Sequence, residues 1–461
     1  MGSNNRMRAE GKITNHQSTI INPRANNKFK LMKNGKTTYQ ESVNYLYGLQ
    51  KYGIKFGLSK TTNLLKTLGN PHKGRRYIHI AGTNGKGSVA AFIASILKET
   101  GLKVGFYSSP HLVRFTERFK INGEEIDQNK AMELIEELRT AFSPEEPPTF
   151  FEATTAMALI YFARENTDLS IMEVGMGGRL DATNVITPLV SGITNISMEH
   201  QDFLGNRLLD IAKEKAGIIK KGVDVITAAT QSSVIRAFET IARDRGAPLW
   251  RVGKEIRYRT TVAGFHYSGP GLRLRGLRLG LKGMMQTRNA ALALGIIEKL
   301  VEKGIAVSEE DIRKGLRNTA WPGRMHIVGT SPTILLDGGH NPAALRALAH
   351  SIRNGFKYRR LVLVIGVMAD KEINQMLRAI IPLADYLICT RPVYSRAAEP
   401  EILMAKAAPF EKPGEMVPFL TDALTRAKEM ADPRDLIVVC GSLFTVGEAL
   451  TYFDPETYGK D

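Results

Sequence analysis

The segment Gly82-Thr83-Asn84-Gly85-Lys86-Gly87-Ser88 constrains the fold of this chain more than any other part of it. It directly follows an apolar run at residues 77–81 and precedes a helical run at residues 89–97. Glycines let a backbone turn tightly beside an anion, the free N–H groups of a helix N-terminus point at that anion, and Lys86 adds a full positive charge. The sequence therefore predicts a strand, a phosphate-holding loop and a helix in this order, with a ligand-free glycine turn as the alternative.

The patterns around this loop predict an α/β fold. Further apolar runs alternate with helical stretches, as is typical of parallel βαβ units, and they lie at residues 103–107, 169–174, 189–194 and 223–228. Short alternating segments at residues 251–281 predict an antiparallel insertion, and a helix is expected at residues 286–303. After a break near Trp321 a second alternation begins, with strands expected at residues 333–336, 361–365, 386–390 and 436–440.

This organisation predicts three parts. Residues 1–38 read as a flexible basic tail because they have no sustained apolar period. Residues 39–319 are expected to form a P-loop-type ATP-binding domain on a mostly parallel sheet, and residues 320–461 a smaller, Rossmann-like α/β domain.

Cysteine usage and hydropathy favour a soluble protein of the cytoplasm. Cys389 and Cys440 lie in apolar, strand-like runs and are expected to be buried, reduced thiols. The first residues are polar and basic and lack the apolar core of a secretory signal. No stretch approaches the roughly 18 consecutive apolar residues that cross a bilayer, so no membrane partner is expected.

A net charge of +17 favours polyanionic partners in general. Residues 1–36 hold eight lysines or arginines against one glutamate. Nucleic acid, ATP and a polyglutamate chain all suit such a field. The sequence has no zinc-spaced cysteines, no RNA-binding aromatic motif and no helix-turn-helix pattern. A nucleic-acid-binding NTPase is therefore the less favoured interpretation.

The loop departs from the standard Walker pattern, because only two residues separate Gly82 from Gly85 and Gly87 stands before Ser88. In this form it resembles the ATP loop of the folylpolyglutamate synthase family, a branch of the Mur ligases. The resemblance covers nearly everything after the tail, through matches at residues 57–58, 68–71, 107–112, 117–118, 173–184, 214–218, 322–324, 336–342, 370–371 and 441–443.

The resemblance implies an ATP-dependent ligase that joins L-glutamate to dihydropteroate, to a reduced folate, or to both. A carboxylate does not react with an amine unaided, so ATP first converts it to an acyl phosphate, which the glutamate amine then attacks. ADP and phosphate are released. Another Mur-type amino-acid ligase is one alternative; a motor or switch NTPase is another, which the atypical loop disfavours. The family is usually monomeric, and one sequence does not separate the two folate activities.

Such chemistry needs cations around the phosphates, and one or two Mg²⁺ ions on oxygen-rich ligands. Glu173 ends an apolar run at the carboxyl edge of the predicted sheet, where it reads as a metal ligand or as a solvated acid. His200 on spacing alone reads as an ordinary hydrogen-bonded histidine, since Mg²⁺ prefers oxygen. The resemblance makes it a second metal ligand, adds Ser109 to the first ion, and implies that Lys215 is carbamylated near the second. An unmodified Lys215 in a surface ion pair is the alternative.

Residues of the second half complete the expected nucleotide site. The resemblance places Asn289 and Arg324 on ATP, with Arg324 on the transferred phosphate, and places Asp337 and His340 against nucleotide or acyl phosphate. Helix capping by Asp337 or Asn341 is the alternative. The resemblance also implies catalytic roles for Lys86, Lys215, Arg324 and His340.

This chain departs from the family's pattern at two positions. Met285 and Gln286 stand where the family has a His-Gln pair, and Glu199 stands where it more usually has Asp.

The acceptor end of the site is less legible. Phe151 has a flat ring that suits a pterin, and core packing is the competing interpretation. Glu152 and Asp181, the second of which lies in the matched stretch 173–184, are further candidates for substrate contact.

Overall fold

The computed structural model describes residues 37–53, 57–142 and 146–459. The predicted basic tail, apart from residues 37 and 38, lies outside the described residues. Within these ranges no helix is long and apolar enough to span a membrane. The α/β fold with mostly parallel sheets is confirmed, and two such sheets carry the elements that form the site.

The first sheet has eight strands in the order β4-β3-β2-β5-β1-β6-β7-β8. Its strands are β1 Tyr77–Ala81, β2 Val104–Tyr107, β3 Phe119–Ile121, β4 Glu124–Glu125, β5 Leu169–Glu173, β6 Val190–Ile193, β7 Asp224–Thr227 and β8 Leu249–Arg251. The five predicted strands of this part form its parallel centre, while β3 and β4 pair antiparallel at one edge. The short strands β3, β4 and β8 were not predicted, because a run of two or three residues carries too little periodicity.

Helices cover both faces of this sheet. They are α1 Tyr39–Gly48, α2 Ser59–Thr67, α3 Lys86–Glu99, α4 Gln128–Ala141, α5 Phe150–Arg164, α6 Gln201–Leu204, α7 Leu208–Lys215, α8 Ser232–Asp244, α9 Met285–Glu302 and α10 Glu309–Asn318. Successive residues of β1 point to opposite faces, so Ile78 and Ile80 join the core under α3 and α9, whereas Tyr77 joins the core under α1, α4 and α5. Every residue of β1 is buried, which explains why the strand is apolar apart from His79.

The predicted antiparallel insertion is confirmed as a separate sheet of three strands, ordered β11-β10-β9. These are β9 Arg257–Thr261, β10 Gly264–Ser268 and β11 Arg273–Leu277. Phe265 and Tyr267 point into the core beside α9, and their neighbours in sequence face outward.

The second sheet has six strands in the order β12-β13-β17-β14-β15-β16. Its strands are β12 His326–Thr330, β13 Thr333–Asp337, β14 Leu361–Ile365, β15 Tyr386–Arg391, β16 Gly414–Phe419 and β17 Leu436–Cys440. Its helices are α11 Pro342–Gly355, α12 Ile373–Ile380, α13 Pro400–Ala407, α14 Leu420–Met430, α15 Leu443–Phe453 and α16 Pro455–Tyr458. The four predicted strands are its buried centre; the edge strands β12 and β16 were missed, because neither has a buried residue to mark it.

The two cysteines are free and buried, as expected. Cys389 on β15 and Cys440 on β17 both lie opposite Ile365 of the strand between them.

Candidate active site

The glycine loop lies between β1 and α3, as the sequence predicts. Gly82 and Gly85 have φ values of 136° and 91°, a region that favours glycine. Space adds a second requirement, because a Cβ on Gly82 would overlap the side chain of Thr194 and one on Gly85 would lie 2.7 Å from Oδ1 of Asn289. The two glycines therefore let the loop pass close to its neighbours, and residues 83–88 of the loop line a cavity.

Asn195 and Lys86 hold this loop in shape. The backbone N–H of Asn84 donates to Oδ1 of Asn195 at 3.1 Å, and Nδ2 of Asn195 donates to the Asn84 carbonyl at 3.0 Å. Nζ of Lys86 donates to the carbonyls of Gly82 and Thr83, each at 3.2 Å. The ammonium thus lies folded over the loop, where phosphate oxygens can replace the two carbonyls as its acceptors.

Glu173 ends β5 beside this loop and is 5% exposed. Burial raises the pKa of its carboxyl to about 7, although Lys86, Arg324 and the backbone N–H of Ser109 each lower it. Among the described residues no lysine or arginine forms an ion pair with it. A buried carboxylate without a paired cation, facing a cavity, has the character of a metal ligand rather than of a solvated acid.

The donor set at this edge fits a divalent cation that takes most of its ligands from elsewhere. Ser109, Glu173 and His200 line the same cavity. In the part of the chain that the structure describes, no group of three or more His, Cys, Asp or Glu side chains is arranged to hold a metal. Mg²⁺ typically binds one or two carboxylates together with water and substrate phosphates, so this sparse set suits it.

Lys215 forms a buried ion pair with Glu199. Its Nζ lies 2.5 Å from Oε1 of Glu199 and also donates to the Gly82 carbonyl at 2.9 Å. Burial alone would raise the pKa of Glu199, but the Lys215 and Lys86 ammonium groups lower it to about 2. The ion pair named as the alternative for Lys215 is present, but it is buried rather than on the surface, since the Lys215 side chain is only 2% exposed. Glu199, the departure from the family's Asp, reaches Lys215 directly.

Two residues of α9 support the loop from the other side. Nδ2 of Asn289 donates to Oε1 of Gln286 at 2.9 Å, and Nε2 of Gln286 donates to Oγ of Ser88 at 3.4 Å. Both line the cavity. Asn289 therefore packs against Gly85, and Gln286 connects α9 to the loop at Ser88.

The second sheet contributes the opposite wall of the cavity, through Arg324, Asp337 and His340. The Asp337 carboxylate accepts from the backbone N–H groups of Met325 at 3.0 Å and Gly339 at 2.9 Å. Asn341, not Asp337, caps α11, because its Oδ1 accepts from the N–H of Ala344 at 2.9 Å. Asp337 thus holds its own loop, with its carboxylate at the cavity wall.

His340 is a neutral imidazole at this wall. Burial and the nearby Arg324 charge lower its pKa to about 4. Its Nδ1 lies 3.0 Å from the Gly338 carbonyl. A carbonyl only accepts, so Nδ1 carries the proton and Nε2 keeps a lone pair.

A second cavity of about 650 Å³ adjoins the first, which has about 300 Å³. Both are lined by Ser109, Pro110, His111, Gly175 and His200. Aromatic rings also line the larger cavity. Tyr47, Phe150 and Phe151 come from helices on the first sheet, and Tyr394 and Phe444 come from the part of the chain that forms the second sheet. The rings of Tyr394 and Phe444 stack with centroids 3.9 Å apart. Such walls suit a flat heterocycle.

The three acceptor candidates lie at this second cavity with different environments. Phe151 packs its ring against Gly175. The Glu152 carboxylate accepts from the backbone N–H of Thr149 at 2.7 Å and so completes the capping box of α5. Asp181 accepts hydrogen bonds from its own loop. The pattern Thr149-x-x-Glu152 signalled the capping role in the sequence.

Arg118 lines the larger cavity and was not predicted as a site residue. Its guanidinium is buried, its Nε donates to Nδ1 of His111 at 2.9 Å, and it lies 5.1 Å from the ring centroid of Phe150. Within the described ranges no carboxylate forms an ion pair with it. A buried cation of this kind attracts an anionic ligand. The Glu117-Arg118 match in the sequence was the available signal.

Models of known protein families match two long segments of the chain. Residues 80–297 match the Mur ligase middle domain, and residues 323–443 match the Mur ligase glutamate ligase domain. The dihydrofolate synthase/folylpolyglutamate synthase of Bacillus subtilis is 33% identical over 438 residues, covering 89% of this chain and 98% of that protein. A probable bifunctional folylpolyglutamate synthase/dihydropteroate synthase of Haloferax volcanii is 35% identical over 90% of this chain. The chain spans about half of the length of that bifunctional relative, since the match covers 50% of it.

Solved structures give the same picture. Escherichia coli FolC in complex with DHPP and ADP superposes with a TM-score of 0.85 at 33% identity, over 92% of this chain and 99% of that one. The Yersinia pestis bifunctional folylpolyglutamate synthase/dihydrofolate synthase, complexed with AMPPNP and Mn ion, gives a TM-score of 0.82 at 30% identity, over 90% and 98%. With its two-domain match, its loop and its near full-length likeness to these proteins, the chain belongs to the dihydrofolate synthase/folylpolyglutamate synthase family of Mur ligases.

Proposed function

We propose that this protein is an ATP-dependent ligase that adds L-glutamate to dihydropteroate, to (poly)glutamyl tetrahydrofolate, or to both, through an acyl phosphate. The observation that carries the proposal is the shared wall of the two cavities. Ser109, His111 and Gly175 line both, so a phosphate held by the Lys86 loop and an acceptor between aromatic rings meet at one place. The relatives that bind ADP, AMPPNP and DHPP support it.

The first step transfers a phosphoryl group to the acceptor. A carboxylate oxygen of the acceptor attacks the γ-phosphorus of ATP. The bond between this phosphorus and the oxygen that bridges it to the β-phosphate breaks, and ADP leaves with the electron pair. Residues 82–88 cradle the phosphates, Lys86 exchanges its carbonyl acceptors for phosphate oxygens, and Arg324 donates charge-assisted hydrogen bonds from the opposite wall. Asn289 packs against Gly85.

Ser109 and Glu173 would hold a first Mg²⁺ and His200 a second, beside the phosphates. A bound divalent cation supplies charge neutralisation of the phosphate oxygens. Carbamylation of Lys215 would add an oxygen ligand next to His200, and it requires the neutral amine. Burial lowers the pKa of Lys215, which favours that form, whereas the Glu199 carboxylate opposes it. We include the modified lysine in the proposal on this basis.

The second step forms the amide. The glutamate amine attacks the acyl carbon, a tetrahedral intermediate collapses, and phosphate leaves with the electron pair of the broken C–O bond. The nitrogen gives up one proton, which the departing phosphate takes up. Nε2 of His340 has a free lone pair at the cavity wall and can accept a hydrogen bond from the amine. Asp337 holds the loop that carries His340.

The acceptor lies in the larger cavity, with its heterocycle between the aromatic rings and an anionic group near Arg118. Phe151 contributes one face, while Glu152 and Asp181 shape the wall. Because both sheets contribute to both cavities, closure of residues 320–461 over residues 39–319 completes the site and excludes water, which would hydrolyse the acyl phosphate.

We propose further that the enzyme works as a monomer in the cytoplasm, without a nucleic-acid partner. Two free, buried cysteines support a reducing compartment.

The test is glutamate-dependent phosphate release measured with two acceptors, dihydropteroate and a reduced folate. Turnover with either acceptor is expected, and each acceptor reports one of the two activities. With ¹⁸O in the acceptor carboxylate, one labelled oxygen should appear in the released phosphate. The variant Lys86→Ala serves as the control and is expected to lose nearly all turnover. Release without glutamate, or phosphate without label, contradicts the proposed reaction.

A further inference from the structure

Three buried side chains, joined by two hydrogen bonds, connect the centre of the first sheet to the acceptor cavity. Nε2 of His79, on β1, lies 2.8 Å from Oγ1 of Thr183, and Oγ1 of Thr183 lies 2.5 Å from Oδ1 of Asp181. His79 and Thr183 are fully buried and Asp181 is 7% exposed. Neither His79 nor Thr183 lines a cavity described above, so neither can touch ATP or an acceptor there.

Asp181, the last of these three side chains, fixes a loop on the cavity wall. Oδ2 of Asp181 accepts from the backbone N–H of Met176 at 2.9 Å, and Oδ1 accepts from the backbone N–H of Thr183 at 3.0 Å. The N–H of Gly175 also donates to this carboxylate. Met176, Leu180 and Asp181 line the larger cavity, and Gly175 lies on the wall that both cavities share.

The number of available protons determines which group donates in each of these two hydrogen bonds. With backbone donors on both oxygens the Asp181 carboxylate is held as an acceptor, so the single hydroxyl proton of Thr183 goes to Oδ1. Oγ1 of Thr183 is then an acceptor toward His79, which must carry its proton on Nε2. Burial lowers the pKa of His79 to about 3, so the ring is neutral and Nδ1 has no proton. Among the residues that the structure describes, Nδ1 has no hydrogen-bond partner, which costs less for a lone pair than for a buried N–H.

We propose that His79 and Thr183 are positioning residues, which donate in series to Asp181 and thereby hold the loop of residues 175–181 in the shape that the acceptor needs. The inference rests on the proposed function, because it takes the larger cavity as the acceptor site. Its specific content is the proton order: His79 Nε2–H to Thr183, and Thr183 O–H to Asp181.

Conservative pairs of variants separate this role from simple loss of packing. Thr183→Val removes the hydroxyl and keeps the branched shape, whereas Thr183→Ser keeps the hydroxyl. His79→Gln places an amide N–H near the position of Nε2, whereas His79→Met provides no donor. Thr167→Val is the matched control, since its buried hydroxyl bonds to the Phe162 carbonyl at 3.2 Å at the opposite end of β5.

We expect the affinity for the acceptor to fall in variants that lack the hydroxyl at residue 183 or the N–H donor at residue 79, and to be retained in variants that keep them. Loss of the charge-assisted hydrogen bond to Asp181 in Thr183→Val should raise the KM for the acceptor by roughly tenfold. Loss of the neutral hydrogen bond to Thr183 in His79→Met should raise it in the same direction by a smaller factor. The KM for ATP should change much less, because only Gly175 of this loop lies on the ATP side. Thr183→Ser, His79→Gln and Thr167→Val should retain a KM close to that of the wild type. Equal effects in Thr183→Ser and Thr183→Val would overturn the proposal.

The tautomer is measured independently of catalysis. In protein labelled with ¹⁵N-histidine, the His79 signals are assigned by their loss in His79→Gln, and their shifts should report a proton on Nε2. A proton on Nδ1 would overturn the proton order. A wild-type protein with the Nε2–H form but without glutamate-dependent turnover would instead overturn the proposed function, so the two failures are distinguishable.

Discussion

Asn84, which lines the smaller cavity, and Asn341 pair their side-chain amides through two hydrogen bonds. Nδ2 of Asn341 donates to Oδ1 of Asn84 at 2.9 Å, and Nδ2 of Asn84 donates to Oδ1 of Asn341 at 3.3 Å. Asn84 belongs to the phosphate loop, and Asn341 is the N-cap of α11. The pair therefore joins the loop that is proposed to hold ATP to the first helix after the Asp337-His340 segment.

Removing either amide should weaken ATP binding in a coupled way. Asn84→Ala removes one partner, and Asn341→Ser removes the other while a serine still caps the helix. Each single variant should raise the KM for ATP, and the double variant should cost less than the sum of the two, by about 1 kcal/mol. Steady-state kinetics over this double-mutant cycle measure the coupling. Strictly additive effects would show that the pair does not act as a unit.

Glu173 should make the stability of the ligand-free protein depend on pH. Burial raises the pKa of its carboxyl from 4.5 to about 7 in the folded state. The folded state therefore binds this proton more tightly than the unfolded state, so the stabilisation is fully present below pH 4.5 and is lost as the pH rises through 7. The size is at most about 3 kcal/mol.

Denaturant unfolding at pH 5 and pH 7.5 measures this effect, with Glu173→Gln as the reference for all other titrating groups. The wild type should lose stability relative to the variant at the higher pH. Added Mg²⁺ should restore it in the wild type alone. Parallel pH curves for the two proteins would contradict the assignment of this shift to Glu173.

Carbamylation of Lys215 should be visible by NMR with ¹³C-bicarbonate. The signal is expected in the wild type, should increase with pH because the neutral amine reacts, and should be absent from Lys215→Met. Glu199→Asp shortens the acid to the residue more usual in the family, moves the carboxylate away from Nζ, and should leave the carbamate easier to form. A wild-type spectrum without a carbamate signal at any pH would leave Lys215 as the cation of an ion pair.

Arg118 should determine acceptor binding without affecting ATP. Its buried guanidinium has Phe150 and His111 as neighbours, so an anionic acceptor supplies the counter-charge. Arg118→Met should raise the KM for the acceptor by roughly 10- to 100-fold, the value of one or two charge-assisted hydrogen bonds. Arg118→Lys keeps the charge and should lose less. Kinetics with ATP and acceptor varied in turn provide the measurement; an increase confined to the KM for ATP would place Arg118 in the wrong cavity.

The sequence predicted the buried centre of both sheets because its signals are local. β1, β14 and β17 are buried along their whole length; β14 and β17 are continuous apolar runs, and β1 is apolar apart from His79. β12 and β16 are edge strands with polar and exposed residues, and their identity comes from pairing with a neighbour far away in sequence. Periodicity within one segment does not contain that information.

Candidate site residues followed the same division. Glu173 and Lys86 stood out because strand ends and glycine loops mark them locally. The pairing of Lys215 with Glu199 was not expected, since a lysine in a polar helix reads as exposed. Arg118 and Tyr394 are brought to one cavity by folding alone, from positions 276 residues apart in the chain. The role of Asn341 as the cap of α11 was open in the sequence and is settled by its bond to Ala344.

The placement of the two cysteines offers a reporter of local unfolding. Burial raises the pKa of the Cys389 thiol to about 12 and that of Cys440 further, so thiolate is scarce while the second sheet stays closed. Both sulfurs lie in the core that α11, α12 and α13 cover, so alkylating reagents reach them only after these helices move away from the second sheet. Because both thiols lie in this one sheet, their labelling rate follows the opening of that sheet alone, and bound nucleotide should slow it.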